Sequence, residues 1–146
     1  MTTLEPRMRA HITEGFERQG LMAHLGARLT TIEPGRVEIA LDHAPTLTQQ
    51  HGYFHAGATG TIADTAGGYA ALSTFDTGDS ILTVDYSINL LAPAKGDRLV
   101  AQGQVVRTGR TITVCSLEVH ALDGAELTHV ATGRQTLIRL ANRPDR

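Results

Sequence analysis

The pattern of apolar and polar residues divides the chain into short helices, strands and one stretch of small residues. Charged residues interrupted by apolar ones at helical spacing predict one or two short helices over about residues 6–24. A strand is predicted over residues 27–33, and a Pro-Gly turn leads from it to a second strand. In that second strand Val37, Ile39 and Leu41 recur at every other position, as in a half-buried antiparallel strand.

The chain after residue 79 has the two-residue period of four further strands, separated by turn residues. On one predicted face of the first of these strands lie Leu82, Val84, Tyr86, Ile88 and Leu90. On its other face lie Thr83, Asp85, Ser87 and Asn89. In a later strand the apolar phase changes near Cys115, which predicts a β-bulge or a strong twist there.

Between the two groups of strands lies a segment of Ala, Gly and Thr that is predicted to form one long helix over about residues 57–75. Each glycine inside a helix costs roughly 1 kcal/mol relative to alanine, so this helix requires close packing against another element. The order helix, two strands, long helix, four strands predicts an α+β fold. We expect one domain over residues 1–146, with an antiparallel sheet wrapped around a central Ala/Gly-rich helix.

Composition and charge exclude several classes of function. The chain has 146 residues and a formal net charge of −2, so it lacks the basic footprint of a nucleic-acid-binding protein. No apolar run approaches the roughly 20 residues that span a membrane, and the N-terminus has no apolar signal core. The single cysteine excludes an intrachain disulfide and suits a reducing compartment. We expect a cytoplasmic protein with no nucleic-acid and no membrane partner.

Asp64 is the one acidic or basic residue in the predicted long helix. An unpaired carboxylate in a crowded helix–sheet contact is expensive, so its side chain must be hydrogen-bonded or lie at an opening. Two interpretations follow from the residues alone. Asp64 is either a structural anchor for loop amides or a general base in a partly buried site.

The start of the long helix favours the catalytic interpretation. Amides at a helix N-terminus are unpaired and favour negative charge, so the Ala56 and Gly57 amides that follow His55 have the properties of an oxyanion hole. Ala56 precedes Asp64 by eight residues, or roughly 12 Å along a helix. One helix can hardly bring both groups to the same carbonyl. Two helices related by a two-fold axis can do so, which predicts a homodimer with two shared sites.

Three stretches resemble the hotdog-fold acyl-CoA thioesterases, and most closely their PaaI-like group from phenylacetic acid degradation. They are HAGATGTIADTAGG, TVDYSINLLAPAKGD and VVRTGRTITV, and the resemblance extends from about Leu25 to Leu140. It implies a hotdog fold and hydrolysis of acyl-CoA to free acid and CoA, with a small or aromatic acyl group. It further implies that no metal or cofactor takes part and that dimers pair into homotetramers.

The resemblance also assigns roles to the residues around the helix start. It implies that Asp64 is the catalytic carboxylate, acting as general base on water or as nucleophile. The Ala56 amide, with that of Gly57, would polarise the thioester carbonyl, and His55 would orient the loop or contact the thioester. The family pattern at this point is His-Gly-Gly, and Ala56 takes the place of the middle residue. Since the family uses a backbone N–H there, alanine is expected to serve.

Further roles fall on residues away from the helix start. Gln49 stands where the family has an asparagine that holds water or the leaving group. Thr83 stands where family members carry a hydroxyl that positions the nucleophilic water. Arg107 and Arg110, on either side of Gly109, resemble the loop that contacts CoA, and arginine suits its phosphates. Solvated turn charges remain the alternative for each arginine.

Other residues near the helix start have two interpretations each. Tyr53 and Phe54 either line the acyl pocket or pack under the loop. His51 and His55 have the four-residue spacing of a metal pair on a helix, but Gly52 argues against a helix and no third ligand is evident. We therefore expect no metal.

Two functions of other classes compete with hydrolysis. A hydratase or dehydratase of acyl thioesters on the same fold would use an acid with a histidine at the acyl chain. A non-catalytic acyl-CoA-binding protein would bind the same ligand without turnover. Loss of an enoyl double bond, or tight binding without thiol release, would distinguish these two from a hydrolase.

Overall fold

Six antiparallel strands pack against one long helix in the computed structural model, which describes residues 3–143. The helices are α1 (Pro6–Glu17), α2 (Gly20–Leu25) and α3 (Ala56–Leu72), and a short 3-10 helix spans Pro45–Leu47. The strands are β1 (Arg28–Glu33), β2 (Arg36–Asp42), β3 (Ser80–Leu90), β4 (Arg98–Thr108), β5 (Ile112–Asp123) and β6 (Glu126–Leu140). Their order in the sheet is β1-β2-β4-β5-β6-β3, so β3 forms one edge.

The element order and the α+β class predicted from the sequence are confirmed, with small differences at the helix ends. Two short helices cover residues 6–17 and 20–25 rather than about 6–24. Helix α3 ends at Leu72, before the predicted end near residue 75, because the chain tightens after it: the Thr74 N–H bonds to the Ala71 carbonyl three residues back.

Helix α3 is enclosed by the core on most of its sides. Buried positions recur all around it, as expected of a helix that is apolar on every face. Helix α1 adds Met8, Ile12 and Phe16 to the same core. The helix contributes few large side chains to this core, among them the fully buried Ile62 and Leu72, and the sheet contributes others such as Ile39, Leu99 and Leu117.

Two glycines let the helix backbone touch the sheet. A Cβ on Gly103 of β4 would lie 2.4 Å from the Gly67 nitrogen of α3. A Cβ on Gly67 would lie 1.8 Å from Gln135 Oε1 and 2.7 Å from Leu117 Cδ2. Real atoms do not approach so closely, so both positions require glycine for this packing. These contacts explain why the segment tolerates the helix-weakening residue at position 67.

A bulge in β3 overturns the predicted division of that strand into two faces. The register with β6 shifts between Thr83 and Asp85, so one residue is inserted at Val84. As a result Thr83 lies on the helix side, where its hydroxyl reaches Asp64. Tyr86 also lies on the helix side, because its hydroxyl oxygen is 3.5 Å from where a Gly60 Cβ would stand. Strict alternation would have placed these two residues on opposite faces.

The β-bulge predicted near Cys115 is absent from the described strand β5. Buried and partly exposed residues alternate there without interruption. The buried face carries Thr113, Cys115, Leu117, Val119 and Ala121. The apparent phase change arose because Ile112 and Val114 are apolar residues on the outer face of the sheet. The register shifts of this region lie instead in β4, between Val105 and Arg107, and in the β5–β6 pairing.

We predict that Gly67→Ala lowers the free energy of unfolding by about 1–3 kcal/mol, because the new methyl group overpacks the helix–sheet contact. Gly68→Ala is the matched control, since no atom lies within 4 Å of the Cβ added there. Its helix propensity predicts an unchanged or higher stability, by up to about 1 kcal/mol. Denaturant unfolding of both variants measures the difference. Equal stabilities would show that the helix does not approach the sheet at Gly67.

Candidate active site

Asp64 lies midway along α3 and lines a cavity of about 520 Å³. The cavity runs between the end of α1, the second half of α3 and the start of β3. One carboxylate oxygen, Oδ1, accepts a hydrogen bond of 2.7 Å from the Thr83 hydroxyl and another of 2.7 Å from Gln135 Nε2. The other oxygen, Oδ2, has no hydrogen-bond partner among the described residues. Asp64 is therefore hydrogen-bonded and at an opening at once, so both expectations for a carboxylate at this place are met.

Gln135 is a member of this site that the sequence analysis missed. It lies on β6, 71 residues from Asp64, and its side chain is 1% exposed. A signal was present in the strand pattern: Gln135 occupies an inward-facing position between the small Gly133 and the buried Leu137. A polar residue in the buried phase of a strand marks a hydrogen-bonded partner elsewhere in the fold.

At the start of α3, His55 is the N-cap. Its Nδ1 accepts a 2.8 Å hydrogen bond from the Gly57 N–H. This contact corrects the expectation that the Gly57 amide is unpaired, because the cap occupies its proton. The Ala56 N–H donates to no other described residue, and His55, Ala56 and Gly57 are all exposed in the single chain. Of the two expected oxyanion donors, the Ala56 amide alone keeps its hydrogen available.

A second cavity, also of about 520 Å³, lies beside the helix start. Ala56, Gln49, Tyr53 and Phe54 line it, together with residues 90–94 after β3. Gln49 Oε1 accepts from the Tyr53 N–H at 3.3 Å and from a neighbouring loop amide, so its carbonyl oxygen holds the loop. Phe54 is 3% exposed and packs in the core, as one of its two interpretations expected, and it also lines this cavity.

The predicted catalytic groups divide between separate cavities in one chain. Asp64 and Thr83 line the first cavity, whereas Ala56 and Gln49 line the second. His55 and Gly57 line a third, smaller one of about 320 Å³ on another side of the helix start. A site that needs both Asp64 and the Ala56 amide is therefore incomplete in a single chain.

The edge strand β3 carries a row of exposed apolar side chains. Leu82 is 58% exposed, Val84 61% and Leu90 57%. The strand has 11 residues, and its outer edge pairs with no other described strand. Long apolar edges of this kind pair with another chain unless they are protected.

Arg107 lies at the end of β4, and Gly109 and Arg110 lie in the turn that joins β4 to β5, all outside both large cavities. The Gly109 N–H closes the hairpin with a 2.8 Å bond to the Ile112 carbonyl. Both arginine side chains are exposed. The hairpin adjoins the C-terminal end of α3, where the hydroxyls of Thr74 and Thr108 are 3.2 Å apart.

The Cys115 thiol and the histidines near the helix start were the other groups considered for site chemistry. Cys115 is buried beneath α3, and this burial raises the pKa of its thiol to about 12, so the thiol is neutral at physiological pH. Among residues 3–143 there is no group of three or more His, Cys, Asp or Glu side chains that fits a metal ion. His55, one of the two histidines considered for a metal pair, caps the helix through its Nδ1.

The six-stranded antiparallel sheet and the long helix that it encloses define the hotdog fold. The chain belongs to the thioesterase superfamily, which it matches over residues 51–128. The resemblance read from the sequence is confirmed at this level, and membership supports a hydrolase. None of the described helices is long and apolar enough to cross a bilayer.

Individual relatives agree with this assignment. A crystal structure of a thioesterase family protein from Silicibacter pomeroyi is 41% identical, with a TM-score of 0.90 over 92% of this chain and 98% of that one. A Halobacterium salinarum protein named "Putative esterase" is 33% identical over 86% of this chain and 87% of its own length. The E. coli PaaI protein of the phenylacetic acid degradation operon shares the fold, with a TM-score of 0.85 at 22% identity over 98% of this chain and all of its own.

Proposed function

We propose that this protein hydrolyses acyl-CoA thioesters in a homodimer with two shared active sites. The observation that carries the proposal is the geometry of Asp64. Its side chain lines a cavity, and two hydrogen bonds hold its Oδ1 while Oδ2 has no hydrogen-bond partner among the described residues. Membership of the thioesterase superfamily supplies the reaction class.

The chemistry requires one carboxylate and one oxyanion donor. Asp64 takes a proton from a water molecule that attacks the thioester carbonyl, or it attacks the carbonyl carbon itself. Negative charge develops on the carbonyl oxygen, and the Ala56 N–H at a helix N-terminus is suited to stabilise it. Collapse of the adduct breaks the C–S bond, and CoA leaves as a thiolate that takes up a proton. If water attacked, the free acid is formed in this step; if Asp64 attacked, an acyl–Asp64 anhydride is left, which a water molecule then hydrolyses to the free acid and the regenerated carboxylate. A single turnover in 18O-labelled water distinguishes the two routes.

The partner protomer supplies what one chain lacks. If β3 pairs with β3 of a second copy about a two-fold axis, the exposed apolar row of both edges becomes buried. The Ala56 amide of one α3 then lies near Asp64 of the other, so that two separate cavities join into one site. We further propose, from the family resemblance, that such dimers pair into tetramers.

The cavities and two exposed arginines support acyl-CoA as the substrate class. A cavity of about 520 Å³ beside Asp64 accommodates a small or aromatic acyl group. The exposed side chains of Arg107 and Arg110 offer bidentate donors to the phosphates of CoA. Gln49, Tyr53 and Phe54, which line the cavity beside Ala56, contact the thioester and its neighbouring atoms in this arrangement.

Asp64→Asn is expected to lower kcat by at least about 10²-fold across a panel of acyl-CoAs, because the amide cannot take a proton. Release of CoA thiol measures turnover, and unfolding curves verify that the variant is folded. The panel includes an enoyl-CoA, because a hydratase would consume its double bond without releasing thiol. A folded variant with wild-type turnover would remove Asp64 from the mechanism.

Ala56→Pro tests the oxyanion donor by deleting one hydrogen. Proline is favoured at the first helical position, and His55 has the extended backbone (φ −65°, ψ 140°) that proline requires before it. We expect kcat/KM to fall by about 10²–10³-fold with the fold retained. Ala56→Gly is the matched control: it keeps the N–H and is expected to retain activity. Full activity of the proline variant would exclude this amide.

Mixing the two inactive variants tests whether the site is shared. Asp64→Asn and Ala56→Pro chains are co-refolded or co-expressed with different tags. If each site takes Asp64 from one chain and the Ala56 amide from the other, a mixed dimer has one intact site, and a random mixture recovers about a quarter of wild-type activity. If the site lies within one chain, every mixture stays inactive.

A further inference from the structure

Gln135 makes the densest set of polar contacts in the site, although no role in the proposed reaction has been given to it. Its Nε2 lies 2.7 Å from Asp64 Oδ1, 3.0 Å from the Asp64 carbonyl oxygen and 3.0 Å from Thr83 Oγ1. The side chain is buried under α3 at 1% exposure. One amide group therefore holds the helix backbone, the carboxylate and the neighbouring hydroxyl together.

The orientation of this amide is fixed by its surroundings. The Asp64 carbonyl and an ionised carboxylate are acceptors only, so the nitrogen of Gln135 must face them. Its Oε1 then lies against Gly67, at the place that the Cβ of any other residue at position 67 would occupy. That oxygen is buried and has no hydrogen-bond partner among the described residues.

The unpaired oxygen argues against a purely structural role. A buried amide with one group unsatisfied is destabilising, and an apolar side chain of the same shape would leave no such group. Gln135 also demands glycine at position 67, which weakens the helix. A residue that is locally unfavourable in two ways is typical of a functional site.

Gln135 also sets the direction of the Thr83 hydroxyl. Thr83 Oγ1 accepts from Gln135 Nε2, so its single hydrogen is directed to Asp64 Oδ1. That hydrogen is then unavailable to a water molecule, which Thr83 can contact only as an acceptor. The expectation that Thr83 positions the water stays a prediction, in which its oxygen would accept a hydrogen from the water while its own hydrogen is held by Asp64.

We propose that Gln135 is a positioning residue, which fixes Asp64 through Oδ1 and so presents Oδ2 to the reacting groups. This inference rests on the proposed function of Asp64 as base or nucleophile. Two donors on the same carboxylate oxygen restrict rotation of the carboxylate. The geometry is set before substrate binds, so the effect belongs to the chemical step rather than to binding.

Gln135→Met keeps the length of the side chain and removes the donor. We expect kcat to fall by about 10- to 100-fold with KM nearly unchanged, because the carboxylate loses its fixed orientation. A structural role alone would alter the unfolding midpoint without this split between kcat and KM. Gln104→Met on β4 is the matched control. Gln104 pairs with Arg36 and Ser116 in the sheet and does not line the cavity beside Asp64, so this substitution is expected to leave both constants unchanged.

Gln135→Glu gives a second readout. It keeps the shape and places another carboxylate beside Asp64, which disfavours ionisation of the pair. We expect the acid limb of the pH–kcat profile to move to higher pH by about one unit or more. If both folded variants keep the wild-type kcat and the wild-type acid limb, Gln135 does not position Asp64.

Failure of the proposed function is recognised separately, by wild-type protein that releases no thiol or by Asp64→Asn that retains turnover. In that case a crystal structure of Gln135→Met decides the inference without activity. We expect the Asp64 carboxylate and the Thr83 hydroxyl to rotate or to become disordered. Unchanged orientations of both side chains would overturn the positioning role.

Discussion

Contact between the backbone of α3 and the sheet at Gly67 and Gly103 is the constraint on which the rest of this structure depends. A side chain at Gly103 would meet the backbone of α3, and one at Gly67 would meet the side chains of Gln135 and Leu117, so the helix or those side chains would have to move. The Gln135 amide would then no longer contact Asp64, because its oxygen occupies the space beside Gly67 that a side chain at that position would fill. Packing of the core and geometry of the candidate site are thus consequences of the same close approach.

A helix held so closely has a fixed direction, so one chain alone could not complete a site that needs both Asp64 and the Ala56 amide. Asp64 and Ala56 lie on a rigid element roughly 12 Å apart, a separation that no side-chain rotation removes. A second copy of the chain would supply the other group, and it would also bury the exposed apolar side chains of the edge strand β3. Burial of that edge and completion of two sites would then arise from one symmetric contact.

The sequence predicted the order of the elements and the positions of Asp64 and Ala56 in the long helix, because periodicity and helix-start chemistry are local properties. It failed where the outcome depends on distant partners. Gln135 contacts Asp64 across 71 residues of chain, and the bulge that turns Thr83 toward the helix is defined by pairing with β6. The cap between His55 and Gly57 is local, yet it depends on a side-chain rotamer that spacing does not reveal.

The two carboxylate oxygens of Asp64 differ in their hydrogen bonds, because only Oδ1 is reached by donors from the sheet. Both donors to Asp64 come from the strands, Thr83 from β3 and Gln135 from β6, and both reach Oδ1. Strands β3 and β6 are paired neighbours, so a shift of the edge strand displaces one donor relative to the other. Because the proposed dimer contact involves that same edge, association of two chains would bear directly on how firmly the carboxylate is held. The site is then sensitive to assembly in two ways: the partner brings the Ala56 amide, and the paired edge steadies the Thr83 side chain that holds Asp64.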